Sequence, residues 1–94
     1  MNFIYDEKKN IANKIKHGIN LEEAITLWEQ DHIIIPAKNV LGENRWAIVG
    51  LIHKKIYICI FTFRNDSIRI ISCHRADTKL ERIFYEKTKK QKKD

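Results

Sequence analysis

Proline occurs once in this chain, glycine three times and cysteine twice. With a single Pro36 and only Gly18, Gly42 and Gly50, few points break helices or strands, and no low-complexity linker separates one part of the chain from another. The glycines also lack the close spacing of a nucleotide-binding loop. No apolar run approaches the ~20 residues of a membrane-spanning helix, and the opening MNFIYDEKKN lacks a signal-peptide pattern, so the expectation is a cytoplasmic protein with no membrane partner. Cys59 and Cys73 lie inside strand-like runs and not in a C-x-x-C spacing. His17, His32, His53 and His74 show no ligand spacing either, so no metal and no cofactor are expected. A disulfide between the two cysteine-bearing runs is possible in principle, but a cytoplasmic location argues against it, and both are read as reduced packing residues.

Acidic residues are also scarce relative to basic ones, 12 against 18, which leaves a formal charge of +6 on 94 residues. That length makes one small domain, spanning 1–94, with enough chain to bury a core and little to spare. A small basic domain commonly meets a polyanion, and nucleic acid is the first candidate.

What the chain does have is a pair of strand-like runs at 56–64 and 68–75, rich in Ile, Phe, Tyr and Thr and separated by Asn65, Asp66 and Ser67. They read as a central hairpin. Upstream, residues 3–5 form a short apolar start, and a helix is expected over 6–17, with Ile11, Ala12 and Ile15 at helical spacing, Lys16 and His17 in the last turn and Gly18 as its C-cap. In that position His17 reads as a helix C-terminal cation. Asn20 and Glu23 form a capping box for a second helix that carries Leu21, Ala24, Ile25 and Trp28 on one face. Residues 32–35 make a short strand stopped by Pro36, and 45–53 alternate as a strand with two apolar faces. Thr78 and Glu81 read as the capping box of a last helix with Leu80, Ile83 and Phe84 as its stripe, and 87–94 (KTKKQKKD) as a frayed basic tail. Segregated helices and sequential strands give an α+β class, an antiparallel β-sheet with two N-terminal helices and one C-terminal helix.

The position of the basic side chains depends on register. A turn at Lys54-Lys55 places Arg45 opposite Arg64, an arrangement that needs a nearby anion or carboxylate. A three-residue loop in the central hairpin puts Arg64, Ser72 and His74 on one face, whereas a two-residue loop groups Arg64 with Arg69, Cys73 and Arg75. Either way, one basic cluster is expected to join the two strands.

Read together, Phe3, Tyr5-Asp6-Glu7, Lys9, Asn13, Lys16-His17-Gly18, Glu23-Ala24, Asn44-Arg45, Val49-Gly50, Phe61-Thr62, Arg64, Arg69-Ile70-Ile71-Ser72, Arg75-Ala76, Glu81 and Tyr85 resemble the BrnT family, the toxin half of bacterial type II toxin–antitoxin pairs. The resemblance spans 3–86. It implies a RelE-like fold, a metal-independent ribonuclease that cleaves RNA and arrests growth, and a BrnA-like antitoxin with a ribbon-helix-helix segment, through which alone the toxin reaches operator DNA. Three positions depart from the family pattern. His74 stands where an arginine is common in a run resembling I-S-A-R-K-A, Tyr5 stands where tryptophan is usual, and Asn44 replaces an acidic residue.

Cleaving RNA without metal requires activating a ribose 2′-OH, stabilising an anionic phosphorane and protonating the departing 5′-oxygen. Arg64 and Arg75 are candidates for the charge, His74 and then His17 for proton transfer, and Arg45, Arg69 and Lys16 for binding the strand. The competing structural role for Arg64 and Arg75 is ion pairing with Glu43, Asp66 or Glu81. Two other functions use the same composition: a non-catalytic RNA- or ribosome-binding module, and a protein that acts only through its partner.

Overall fold

Asp6 starts the first helix. Its carboxylate accepts hydrogen bonds from the Lys8 and Lys9 backbone N–H groups at 2.8 and 3.2 Å, and α1 (Glu7–His17) runs until Gly18 takes the left-handed conformation at φ 75° and caps it. The computed structural model describes residues 2–88. A short β1 (Asn2–Ile4) precedes α1. Asn20 and Glu23 form the expected reciprocal capping box for α2 (Leu21–Ala24), after which the chain tightens into a 3₁₀ helix over Ile25–Glu29. Thr26 Oγ1 donates to the Glu23 carbonyl at 2.8 Å, competing with the α-helical ladder where a continuous helix was expected.

Four strands follow, β2 (His32–Pro36), β3 (Trp46–Ile52), β4 (Lys55–Arg64) and β5 (Ser67–Arg75), and then α3 (Thr78–Thr88). The cap of α3 is Asp77, whose Oδ1 accepts from Leu80 N–H at 2.8 Å, and not Thr78, which is the first helical residue. Lys87 and Thr88 are helical where a frayed tail was expected, and the rest of that expected tail, 89–94, lies outside the described residues.

The five strands form one sheet in the order β1-β5-β4-β3-β2. It is mixed and not purely antiparallel. β1 pairs in parallel with β5, through Asn2↔Ser67 to Ile4↔Arg69, because the chain leaves β1 into α1 and returns to β5 only after crossing the rest of the sheet. The hairpin is central as expected: β4 is the middle strand, and β5 is covered by β1 at one end and by α1 at the other. That second cover is made by Asn13. Its Nδ2 donates to the carbonyls of Ile19 and Cys73, both at 2.7 Å, and its Oδ1 accepts from Cys73 N–H at 3.2 Å, which satisfies the strand edge that β1 leaves open.

Register departs from the expected one in both hairpins. The β3–β4 turn is His53-Lys54, at φ 52° and 66°, and not Lys54-Lys55; two consecutive left-handed residues give the twist a two-residue hairpin needs. Trp46 is therefore opposite Phe61, and Arg45 is not opposite Arg64. The β4–β5 loop has two residues, since Arg64 pairs with Ser67, but a bulge intervenes: Phe61 pairs with Ile70 and Ile60 with Ser72, leaving Ile71 as the extra residue. The bulge reverses the parity that the loop alone would set. Cross-strand partners share a face, so Arg64, Arg69, Ser72 and His74 lie on one side, and Cys73 and Arg75 on the other.

Both faces of the sheet are covered by apolar side chains. Ile19, Leu21, Ala24 and Leu27 pack on Ile48, Tyr57, Cys59, Phe61, Ile70 and Cys73, while Phe84 packs on the opposite face with Val49, Ile56, Ile58 and Ala76. A fully buried ring such as Phe61 or Phe84 contributes about 1.5–3 kcal/mol by leaving water. Gly50 is needed for the approach of the 3₁₀ helix, because a Cβ there would lie 3.0 Å from the Asp31 carbonyl oxygen and 3.1 Å from a Leu27 methyl. Cys59 and Cys73 are direct cross-strand partners, both buried free thiols, and the hydrogen bond that the Cys59 thiol gives to Cys73, together with burial, pushes the Cys59 thiol up. Among the described residues, no helix is long and apolar enough to cross a membrane.

Candidate active site

α3 packs mainly over β2 and β3, so the β4–β5 part of the same face carries a polar stripe in place of a helix. Along β5 this stripe presents Ser67, Arg69, Ser72 and His74, all partly exposed. At its far end α1 draws alongside. Lys9, Asn13, Lys16 and His17 from α1 face Ile71 and Ser72 across a shallow groove of about 210 Å³. The helical spacing of residues 9, 13, 16 and 17 puts them on the face turned to the strand.

His17 and His74 meet here, with ring centroids 5.5 Å apart and planes inclined by 39°. Burial, then the charges of His74 and Lys16, hold the His17 imidazole below its ordinary value of 6.5. A group pushed that way favours its neutral form, which reverses the expectation of His17 as a helix C-terminal cation. The pull of the helix end is outweighed by desolvation and by neighbouring positive charge. His74 Nδ1 lies 3.0 Å from the Arg75 carbonyl oxygen; a carbonyl only accepts, so Nδ1 carries the hydrogen and Nε2 is the atom left for chemistry.

The arginines are elsewhere. Arg45 Nε and Arg64 Nη2 each lie 3.2 Å from a different oxygen of Glu43. Desolvation alone would raise the Glu43 carboxyl, but the hydrogen bonds and charges of the two arginines outweigh it and keep the group ionised. Arg75 lies 3.8 Å from Glu81 and 5.8 Å from the centre of the Tyr57 ring, an ion pair and a cation–π contact that account for it structurally. Arg69 sits between these groups, opposite Thr62 and beside Ile4.

The single basic cluster is therefore corrected to two. His17, His74 and Lys16 come together at one end of the stripe, while Arg64 and Arg45 come together at the other. Six steps along β4, from Ile58 opposite His74 to Arg64, separate them, about 20 Å of strand. Antiparallel pairing requires this, since the end of β4 lies beside the start of β5. The sequence reading missed Lys9, whose signal was its position seven residues before Lys16 on one helical face. It also missed Asn13 as the clamp on Cys73, which no local pattern announces. Among the described residues, no three His, Cys, Asp or Glu side chains converge as a metal site.

No curated protein matches the chain. The model of one family, described as the ribonuclease toxin BrnT of type II toxin–antitoxin systems, matches residues 5–79. That match covers well over half of the sequence and includes α1, the whole sheet from β2 to β5 and both histidines of the pair, and the chain accordingly belongs to the BrnT family of ribonuclease toxins.

Proposed function

We propose that this toxin is a metal-independent endoribonuclease whose proton-transfer pair is His17 and His74. The observation that carries the reading is the 5.5 Å approach of the two imidazoles at the open end of the stripe. Transesterification of RNA needs one group to take a proton and a second to give one, and few other side chains do either near neutral pH. His17, held towards its neutral form, takes the proton from a ribose 2′-OH as that oxygen attacks the adjacent phosphorus. The phosphorane gathers negative charge beside Lys16 and Lys9, which line the groove. His74, protonated at Nε2, delivers its proton to the 5′-oxygen as the P–O5′ bond breaks. The products are a 2′,3′-cyclic phosphate and a 5′-hydroxyl.

Arg69, Arg64 and Arg45 extend positive charge from that centre along the face. They are assigned to binding the strand and not to the bond being broken, because Arg64 is about 20 Å of strand away. Membership in a type II family brings a protein antitoxin. We infer that it is BrnA-like with a ribbon-helix-helix segment, that operator DNA is met only through it, that the toxin acts in the cytoplasm, and that the mixed sheet and its helices are a RelE-like arrangement. The test is incubation with single-stranded RNA in EDTA. Cleavage leaving cyclic phosphate ends is expected. Binding without cleavage would replace the enzyme by an RNA-binding module, and neither activity would leave a protein that works through its partner alone.

A further inference from the structure

β3 is shorter than β4, and its ladder ends where Trp46 faces Phe61. Beyond that pair, the end of β4 borders the loop at Glu43 and Asn44, and together they enclose an open groove of about 320 Å³ lined by Glu43, Asn44, Trp46, Thr62 and Phe63. The groove has fixed walls. Thr62 Oγ1 donates to the Asn44 carbonyl at 2.7 Å, and Glu43 exchanges two backbone hydrogen bonds with Val40 at 2.9 and 3.0 Å.

Phe63 is 59% exposed. Its ring stands edge-on to Phe61 at 5.7 Å, and Phe61 in turn contacts Trp28 at 5.1 Å and Trp28 contacts Phe3 at 5.0 Å, so an outward-facing aromatic is held from below by the buried Phe61 and the half-buried Trp28 and Phe3. Trp46 is half-buried on the same face. Trp46 and Phe63 are diagonal neighbours across the ladder, their backbone positions about 7–8 Å apart, a spacing from which two side-chain rings can flank a third. The Glu43 carboxylate lines the same groove, is partly exposed, and keeps its charge through Arg45 and Arg64. Each of its oxygens accepts one of those arginines and retains capacity for a further donor.

We propose that this corner is a guanine-selective base subsite: Trp46 and Phe63 take the base between them and Glu43 accepts from its N1–H and N2–H. A carboxylate is a poor host for phosphate, so the groove is not explained by backbone binding. It matches a base edge with two adjacent donors, which guanine presents and uracil, cytosine and adenine do not. Arg45 and Arg64 keep the carboxylate from repelling the strand that carries the base. The inference rests on RNA being the substrate. Trp46 and Phe63 stand on the sheet face opposite the stripe, at the end where Arg64 lies. A strand that reaches them from the histidine pair therefore turns over the end of β4, and the base read there is several nucleotides from the scissile bond and sets the context of cleavage.

The test is binding, so that it does not depend on turnover. Full-length His74→Ala protein is titrated against fluorescently labelled single-stranded hexamers, all-uridine or with one guanosine or one adenosine placed at each position in turn. One guanosine at a favoured position should tighten binding on the order of tenfold, the scale of one base–aromatic stack. Adenosine should not reproduce that gain. Phe63→Ala, at an exposed position that leaves the core intact, should abolish the gain, and Glu43→Gln should remove the preference for guanosine while leaving all-uridine binding as tight or tighter. No guanosine gain, or a gain that survives both substitutions, overturns the subsite. Guanosine-dependent binding by a protein that cuts no RNA would keep the subsite and remove the ribonuclease reading. Cleavage without any guanosine-dependent binding would do the reverse.

Discussion

Asn13 shows how much a single polar side chain carries in a domain of this size. It is 8% exposed and makes three hydrogen bonds, one to Ile19 and two to Cys73, joining α1 to the edge of β5 just where the histidine pair forms. Truncating it leaves buried backbone groups without partners. Asn13→Ala should destabilise the fold by about 2–3 kcal/mol in urea unfolding, and a loss under 0.5 kcal/mol would show that water replaces the amide at no cost. Nothing in the sequence announced this role, because an Asn within a charged helix reads as a solvated position until the strand beside it is known. The caps at Gly18, Asn20 and Glu23 were legible, since a cap is decided by its own few neighbours, whereas Asp6, expected inside the helix, is its N-cap.

Elements were legible in kind and order, and their pairing was not. Every strand and helix lies close to where its periodicity put it, but register follows from two turns and one bulge that the residue types leave ambiguous. Neither Lys54-Lys55 nor His53-Lys54 contains a glycine or asparagine, so the choice between them is made by the fit of the whole ladder. The same point yields a prediction. His53 and Lys54 occupy left-handed conformations that cost β-carbon-bearing residues energy, and replacing them by Asn and Gly should raise stability by about 1 kcal/mol, read as a higher urea midpoint at unchanged slope. A lower midpoint would mean that the exposed contact of His53 with Glu23, at 3.4 Å, outweighs the backbone term. The bulge at Ile71 was invisible for a similar reason: it changes parity without changing composition, and it is what brings Ser72 and His74 to the face that carries Arg69 and Arg64.

Across the described molecule the basic side chains of the stripe and its neighbours form a track with unlike ends. At one end are two imidazoles with Lys9 and Lys16, and at the other two arginines share one carboxylate. The sequence brought these residues to notice but merged them, although the last residues of two antiparallel strands, Arg64 of β4 and His74 near the end of β5, lie at opposite ends of their hairpin. The electrostatics of the histidine end have a measurable consequence. His17 is held below 6.5 by burial and by the charges of His74 and Lys16, so as a base it loses function when the pH falls through that lowered value, and the acidic limb of the rate profile should lie below 6.5. Removing one of the depressing charges with Lys16→Gln should raise the His17 value and move that limb to higher pH, whatever it does to the maximal rate. A limb that stays in place would show that His17 is not the titrating base.

The most direct test of the centre is cleavage of single-stranded RNA in EDTA by the natural sequence, His17→Ala and His74→Ala, with folding of each checked by circular dichroism. The expected result is cleavage by the natural sequence, with a loss of roughly 100-fold or more in each variant, the scale of removing one proton-transfer group. Undiminished cleavage by folded His74→Ala protein would contradict it and return the two histidines to a packing contact at the end of a helix.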